Sequence, residues 1–103
     1  MKLKDRVAIV TGGGKGIGQE ICLGLVKEGA KIVIAEIDIE NSEKAKKKII
    51  DAGSEAIIIK TDVSNQNSIN EMVEQTIKHF GKIDILINNA CLLYTSDAAD
   101  DGV

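Results

Sequence analysis

Apolar positions along this chain switch between two periods. Arg6 to Val10, Lys31 to Glu36, Ala56 to Lys60 and Ile83 to Ile87 are short runs rich in Val and Ile, which predict β-strands. The second run, Lys31-Ile32-Val33-Ile34-Ala35-Glu36, is almost continuously apolar, as a parallel strand covered on both faces must be. Between the runs the spacing becomes helical. Ile17, Ile21 and Leu25 form one stripe, with Gly24 inside it expected to allow close packing on the sheet and Gly29 to stop the helix. Ala45, Ile49 and Ala52 mark a second helix over about Glu40 to Asp51, broken at Gly53. Ile69, Met72, Val73, Ile77 and Phe80 mark a third, with Ser64 as its N-cap and Gly81 as its end. Strands and helices alternating through short connections predict parallel pairing by right-handed crossovers, with the first strand central and the order 3-2-1-4.

Thr11-Gly12-Gly13-Gly14-Lys15-Gly16-Ile17-Gly18 falls between the first strand and the first helix. A strand, a glycine-rich turn and a helix in succession bring bare backbone N–H groups and the positive end of a helix dipole to one point, where a pyrophosphate can bind. Gly12, Gly16 and Gly18 each remove a side chain that would obstruct the turn, the phosphate or the helix behind it. Glu36 closes the second strand 18 residues beyond Gly18, near the spacing at which an acid receives the ribose hydroxyls of a dinucleotide. A carboxylate there favours NAD and crowds the extra 2′-phosphate of NADP.

The spacing Thr-Gly-x-x-x-Gly-x-Gly resembles the fingerprint of the short-chain dehydrogenase/reductase family. Asp62-Val63 after the third strand, and Asn88-Asn89-Ala90 after the fourth, are similar to two further family motifs in the same order. The resemblance covers residues 1–90 and implies an α/β fold, the N-terminal half of a Rossmann doubly wound parallel sheet of four strands and three helices. It implies that Thr11 braces the glycine turn, that Gly12, Gly14, Lys15, Gly16, Ile17 and Gly18 approach the cofactor's phosphates, and that Asp62 and Val63 meet the adenine. It also implies that Asn88, Asn89 and Ala90 tie strands together beside the cofactor's ribose. Lys15 points the other way from Glu36, because in this family a basic residue there often accompanies NADP. For Asp62, an Asx turn before Ser64 is the alternative role. Asp38 reads as a capping or solvated residue, and Asp84, inside a strand, as structural.

The activity implied is hydride transfer between a nicotinamide ring and an alcohol or carbonyl carbon of a small molecule, in a homo-oligomeric parent resembling bacterial 3-oxoacyl-acyl-carrier-protein reductase-like members. Family catalysis uses a Ser and a Tyr-x-x-x-Lys pair. Tyr94 is followed four residues on by Ala98, and no Lys lies beyond Lys82, so no catalytic residue is assigned and the chain alone is expected to be inactive. The alternative is a nucleotide-binding or sensing module without turnover.

Composition narrows the classes further. The 103 residues suit one domain. The start Met1-Lys2-Leu3-Lys4 lacks an apolar leader and no long apolar stretch follows, so a cytoplasmic parent is expected. Residues 1–90 carry 13 basic and 13 acidic groups, and one Phe and one Tyr are the only aromatic residues of those types; neither nucleic acid nor membrane is an expected partner. Lys44 to Lys48 reads as a solvated helix face. Cys22 and Cys91 lack metal-ligand spacing, Cys22 reads as a small hydrophobe, and His79 as a partner of a helix C-terminus. No metal site is expected.

The pattern breaks after Ala90. Cys91-Leu92-Leu93-Tyr94-Thr95-Ser96-Asp97-Ala98-Ala99-Asp100-Asp101-Gly102-Val103 has neither period and resembles a translated sequencing adapter. The expected division is therefore residues 1–90 as a cofactor-binding half-domain and 91–103 as a non-native tail. The fourth strand would then present an open apolar edge, favouring aggregation.

Overall fold

A computed structural model describes residues 2–12, 14 and 16–89 of the chain. Four strands and three helices alternate: β1 (Val7–Thr11), α1 (Gly16–Lys27), β2 (Lys31–Glu36), α2 (Ile39–Asp51), β3 (Ala56–Lys60), α3 (Gln66–Phe80) and β4 (Ile85–Asn88). The sheet order is β3-β2-β1-β4, all parallel, with Ile9 opposite both Val33 and Leu86. This is the expected α/β topology. The first strand begins and ends one residue later than its apolar run, and the fourth runs over Ile85–Asn88 rather than from Ile83.

Alternation along the strands divides the interior in two. Ala8, Val10, Ile32 and Ile34 turn to one face, where Cys22 and Val26 of α1 and Ala45 and Ile49 of α2 cover them. Val7, Ile9, Val33, Ala35 and Ile59 turn to the other, against Met72 of α3. Burying a Val or Ile side chain contributes about 1.5–3 kcal/mol, and β2, with Ile32 to Ala35 all buried, anchors both layers as its sequence requires.

One helical stripe is offset from its expected position, and the other two hold apart from single residues. In α1 the buried residues are Gly18, Cys22 and Val26, while Ile17 is 62% exposed. The stripe is shifted by one residue because Gly18 must face the turn above it. Gly24 has no close neighbour for a Cβ, so it does not serve close packing. In α2, Ala45 and Ile49 are buried but Ala52 is exposed. In α3, Ile77 is exposed, while Thr76 is buried with its hydroxyl donating to the Met72 carbonyl at 2.8 Å.

The ends of the helices follow local chemistry. Asp38 caps α2, accepting from the Asn41 N–H at 3.2 Å. Asn65, not Ser64, caps α3, accepting from the Ser68 N–H at 3.1 Å; Ser64 is drawn instead to Asp62. Gly29, Gly53 and Gly81 terminate the helices with positive φ, as expected. His79 lies in the last turn of α3, its ring edge-on to Phe80. Asp84 is structural: its carboxylate accepts from the Val7 N–H at 2.9 Å and pairs with Lys82 and Arg6.

Candidate functional site

The carboxyl ends of β1, β2, β3 and β4 deliver the predicted residues to one end of the sheet. Thr11 ends β1, Glu36 ends β2, Asp62 and Val63 follow β3, and Asn88 ends β4. Each strand is parallel to its neighbours, so every one of these residues sits at the same edge. That edge is where ligands bind in open α/β sheets.

The glycine turn is built by contacts that exclude side chains. A Cβ at Gly18 would overlap the Gly12 carbonyl oxygen and lie 2.8 Å from its carbon and 3.0 Å from Asn89 Nδ2. Gly16 meets the second requirement of the turn, a left-handed backbone with φ of 58°, while space beside it is open. Gly12 also has positive φ, and its N–H donates to the Ala35 carbonyl at 3.0 Å. Gly14 packs on α2: a Cβ there would come within 3.0 Å of Ser42 Oγ and 3.1 Å of Ser42 N.

Thr11 braces the neighbouring strand β4. Its hydroxyl contacts Asn88 Oδ1 at 3.1 Å and the Ile87 carbonyl at 3.4 Å, both on β4. Asn89, buried, donates from Nδ2 to the Gly12 carbonyl at 3.3 Å. The Asn pair therefore ties β4 to β1 and to the glycine turn. Lys15, Ala90 and the 91–103 stretch lie outside the described residues.

A cavity of about 180 Å³ opens at this edge, lined by Gly12, Ala35, Glu36, Ile37, Thr61, Asp62 and Val63. Glu36 turns its carboxylate to the chain just beyond it, accepting from the Ile37 N–H at 3.1 Å and the Asp38 N–H at 3.3 Å. Asp62 forms the Asx turn weighed for it, its Oδ1 accepting from the Ser64 N–H at 2.9 Å and hydroxyl at 2.6 Å. The Ser64 hydroxyl, then its N–H, holds the Asp62 carboxyl below the usual carboxylate range. Ile37, 58% exposed, and Val63, 37% exposed, give the cavity an apolar rim at which a flat ring can lie.

Sequence reading missed Ala35, Ile37 and Thr61 as lining residues, although each adjoins a named acid at a strand's end. It also missed Ser42, Gln19 and Lys48, which approach the turn from α1 and α2; no local signal marks them. Among the described residues no three His, Cys, Asp or Glu side chains converge on a point, and no helix is long and apolar enough to cross a membrane. Cys22 is fully buried and burial pushes its thiol up to about 12, which leaves it protonated and inert.

A sequence model of the short chain dehydrogenase family matches residues 6–101. An "Uncharacterized oxidoreductase" of Thermotoga maritima is 41% identical over 91 residues, covering 88% of this chain and 36% of that protein. Among solved structures, a hydroxysteroid dehydrogenase from Escherichia coli superposes with a TM-score of 0.81 at 30% identity, over 84% of this chain and 37% of that one. An NAD+-bound xylitol dehydrogenase superposes equally well, with a TM-score of 0.81 at 34% identity, over 84% of this chain and 33% of its own. The chain belongs to the short-chain dehydrogenase/reductase family. It spans about a third of the length of the relatives it matches.

Proposed function

We propose that this chain is the cofactor-binding part of an NAD(P)-dependent short-chain oxidoreductase. The observation that carries the reading is the junction of the Gly12–Gly18 turn with a cavity bordered by Glu36, Asp62 and Val63. A diphosphate fits the turn because the space beside Gly16 is open and α1 begins there, its N-terminal N–H groups and dipole favouring an anion. The adenosine half then extends along the ends of β2 and β3. Glu36 accepts the ribose hydroxyls, Ile37 and Val63 flank the adenine, and Asp62 and its Ser64 partner border the base. Asn88 and Asn89, with Thr11, hold β4 and Gly12 in register on the nicotinamide side.

When bound, the nicotinamide ring supplies or accepts a hydride; the residues of this chain hold and orient the dinucleotide, and the carbon that exchanges hydride is an alcohol or carbonyl of a small molecule bound by the rest of a longer protein. NAD is favoured over NADP, since the Glu36 carboxylate repels a 2′-phosphate. Two further expectations belong to this reading: the parent is a cytoplasmic homo-oligomer, and residues 91–103 are foreign to it. Neither nucleic acid nor membrane is a partner in this reading.

Calorimetric titration of the 103-residue chain with NADH and NADPH tests the cofactor assignment. Saturable binding with NADH the tighter supports it; equal or tighter NADPH binding overturns the role of Glu36, and no binding of either overturns the site. An independent copy of the gene read past codon 90 tests the activity, since a Ser and a Tyr-x-x-x-Lys must follow. Their absence would leave the sensing module as the reading.

A further inference from the structure

Gln19 stands on the first turn of α1, and its side-chain Nε2 donates to the Gly14 carbonyl at 3.4 Å. Its Oε1 accepts from Lys48 Nζ, on α2, at 2.9 Å. An amide has two faces that differ in kind, one donor and one acceptor, whereas an ammonium can only donate. Lys48 therefore fixes which way the Gln19 amide lies, with Oε1 towards itself and Nε2 towards Gly14. The contact ties the Gly14 carbonyl, within the glycine turn, to the first turn of α1. Ser42, on the first turn of α2, also packs against Gly14, and its hydroxyl donates to the Asp38 carbonyl at 2.8 Å. Asp38 in turn donates its N–H to the Glu36 carboxylate. One run of contacts thus joins the glycine turn to the acid at the end of β2 through α2.

We propose that Gln19 and Lys48 are positioning residues for the dinucleotide, orienting the glycine turn through the Gly14 carbonyl. This rests on the cofactor reading above. Neither side chain touches the cavity; they act on how the turn is presented to a diphosphate. Because Gln19 is only partly covered and Lys48 is exposed, removing them costs the fold little, and the effect falls on binding.

The test is calorimetric titration of the 103-residue chain and its variants with NADH and with adenosine, alongside thermal melts. Gln19→Ala and Lys48→Met should each weaken NADH about threefold to tenfold, the range for the one neutral hydrogen bond to the Gly14 carbonyl that both substitutions release, and leave adenosine binding and melting temperature unchanged. Lys48→Glu should be worse than Lys48→Met, because a carboxylate would capture Nε2 and turn Oε1 against the Gly14 carbonyl. The double variant Gln19→Lys with Lys48→Glu should recover NADH binding, a lysine at 19 donating to Gly14 and pairing with the new acid. Wild-type chain that binds no NADH overturns the cofactor reading and this inference with it. Wild-type chain that binds, with all variants at its affinity, or with NADH and adenosine weakened alike, overturns the inference alone.

Discussion

Asn89 Nδ2 donates to the Gly12 carbonyl at 3.3 Å, joining the end of β4 to the glycine turn across 77 positions of sequence. The same nitrogen would stand 3.0 Å from a Cβ at Gly18. Three residues from three segments therefore occupy one small volume, and α1 is rotated so that its glycine faces the turn. That rotation accounts for the exposure of Ile17, which its apolar character alone would place inside.

Gly18→Ala is the substitution this packing tolerates least. The added methyl overlaps the Gly12 carbonyl, an oxygen fixed by backbone rather than by a side chain that can swing away. Overpacking of this kind costs about 1–3 kcal/mol, and the turn must shift to relieve it. We expect a lowered melting temperature and a loss of NADH affinity of about tenfold or more. Melts and calorimetry on the variant check both; unchanged affinity would contradict the packing of the turn.

Glu36→Ala separates the two cofactors. Loss of the carboxylate removes the acceptor proposed for the ribose hydroxyls, so NADH should weaken about tenfold, as befits a charged hydrogen bond. The repulsion of a 2′-phosphate disappears with it, so the preference for NADH over NADPH should narrow or reverse. The ratio of the two dissociation constants is the measurement. A ratio equal to that of the wild type would remove Glu36 from cofactor selection.

The sheet was legible in the sequence because parallel strands buried on both faces must be nearly continuous in apolar residues, and Ile32 to Ala35 could be little else. The gathering of the glycines and strand-end acids at one end of the sheet was legible too, because their positions follow from topology. Helix faces were less so. Ile17, Ala52 and Ile77 fit a 3.6-residue period yet stay exposed: Ile17 because the contact of Gly18 on Gly12, which no local pattern encodes, sets the rotation of α1, and Ala52 because α2 ends at Asp51. Gln19, Ser42 and Lys48 were invisible because their partners lie on other elements. The N-cap went to Asn65 because Asp62 competes for Ser64, a choice between two short-range hydrogen bonds of similar strength.

Leu86 should govern the solubility of the chain. It is 61% exposed in the middle of β4, and among the described residues β4 pairs only with β1, leaving an apolar edge that templates pairing with another chain. Leu86→Lys places a charge on that edge and should lower concentration-dependent association without a loss of melting temperature. Light scattering over a concentration series reads the effect. A wild-type chain that stays monomeric throughout would show that the edge is harmless.

Acid sensitivity should trace to Asp84. Its backbone N–H donates to the Val7 carbonyl at 2.9 Å while its carboxylate accepts from the Val7 N–H, so one residue clamps both groups of the residue that opens β1. The Val7 N–H is the chief reason the Asp84 carboxyl titrates below its ordinary value of 3.8; Lys82 and Arg6 add to it, and partial desolvation opposes. Because the folded-state pKa is depressed, the carboxylate's contribution is complete above the ordinary value and disappears as pH falls through the lowered one. Asp62, depressed by Ser64, acts in the same direction. The melting temperature should therefore fall as pH drops from about 4 towards 2. Asp84→Asn should melt lower than wild type at pH 7, and the gap should close as the wild-type carboxylate protonates. A gap that stays constant from pH 7 to pH 2 would show that the charge of Asp84 does not stabilise the fold.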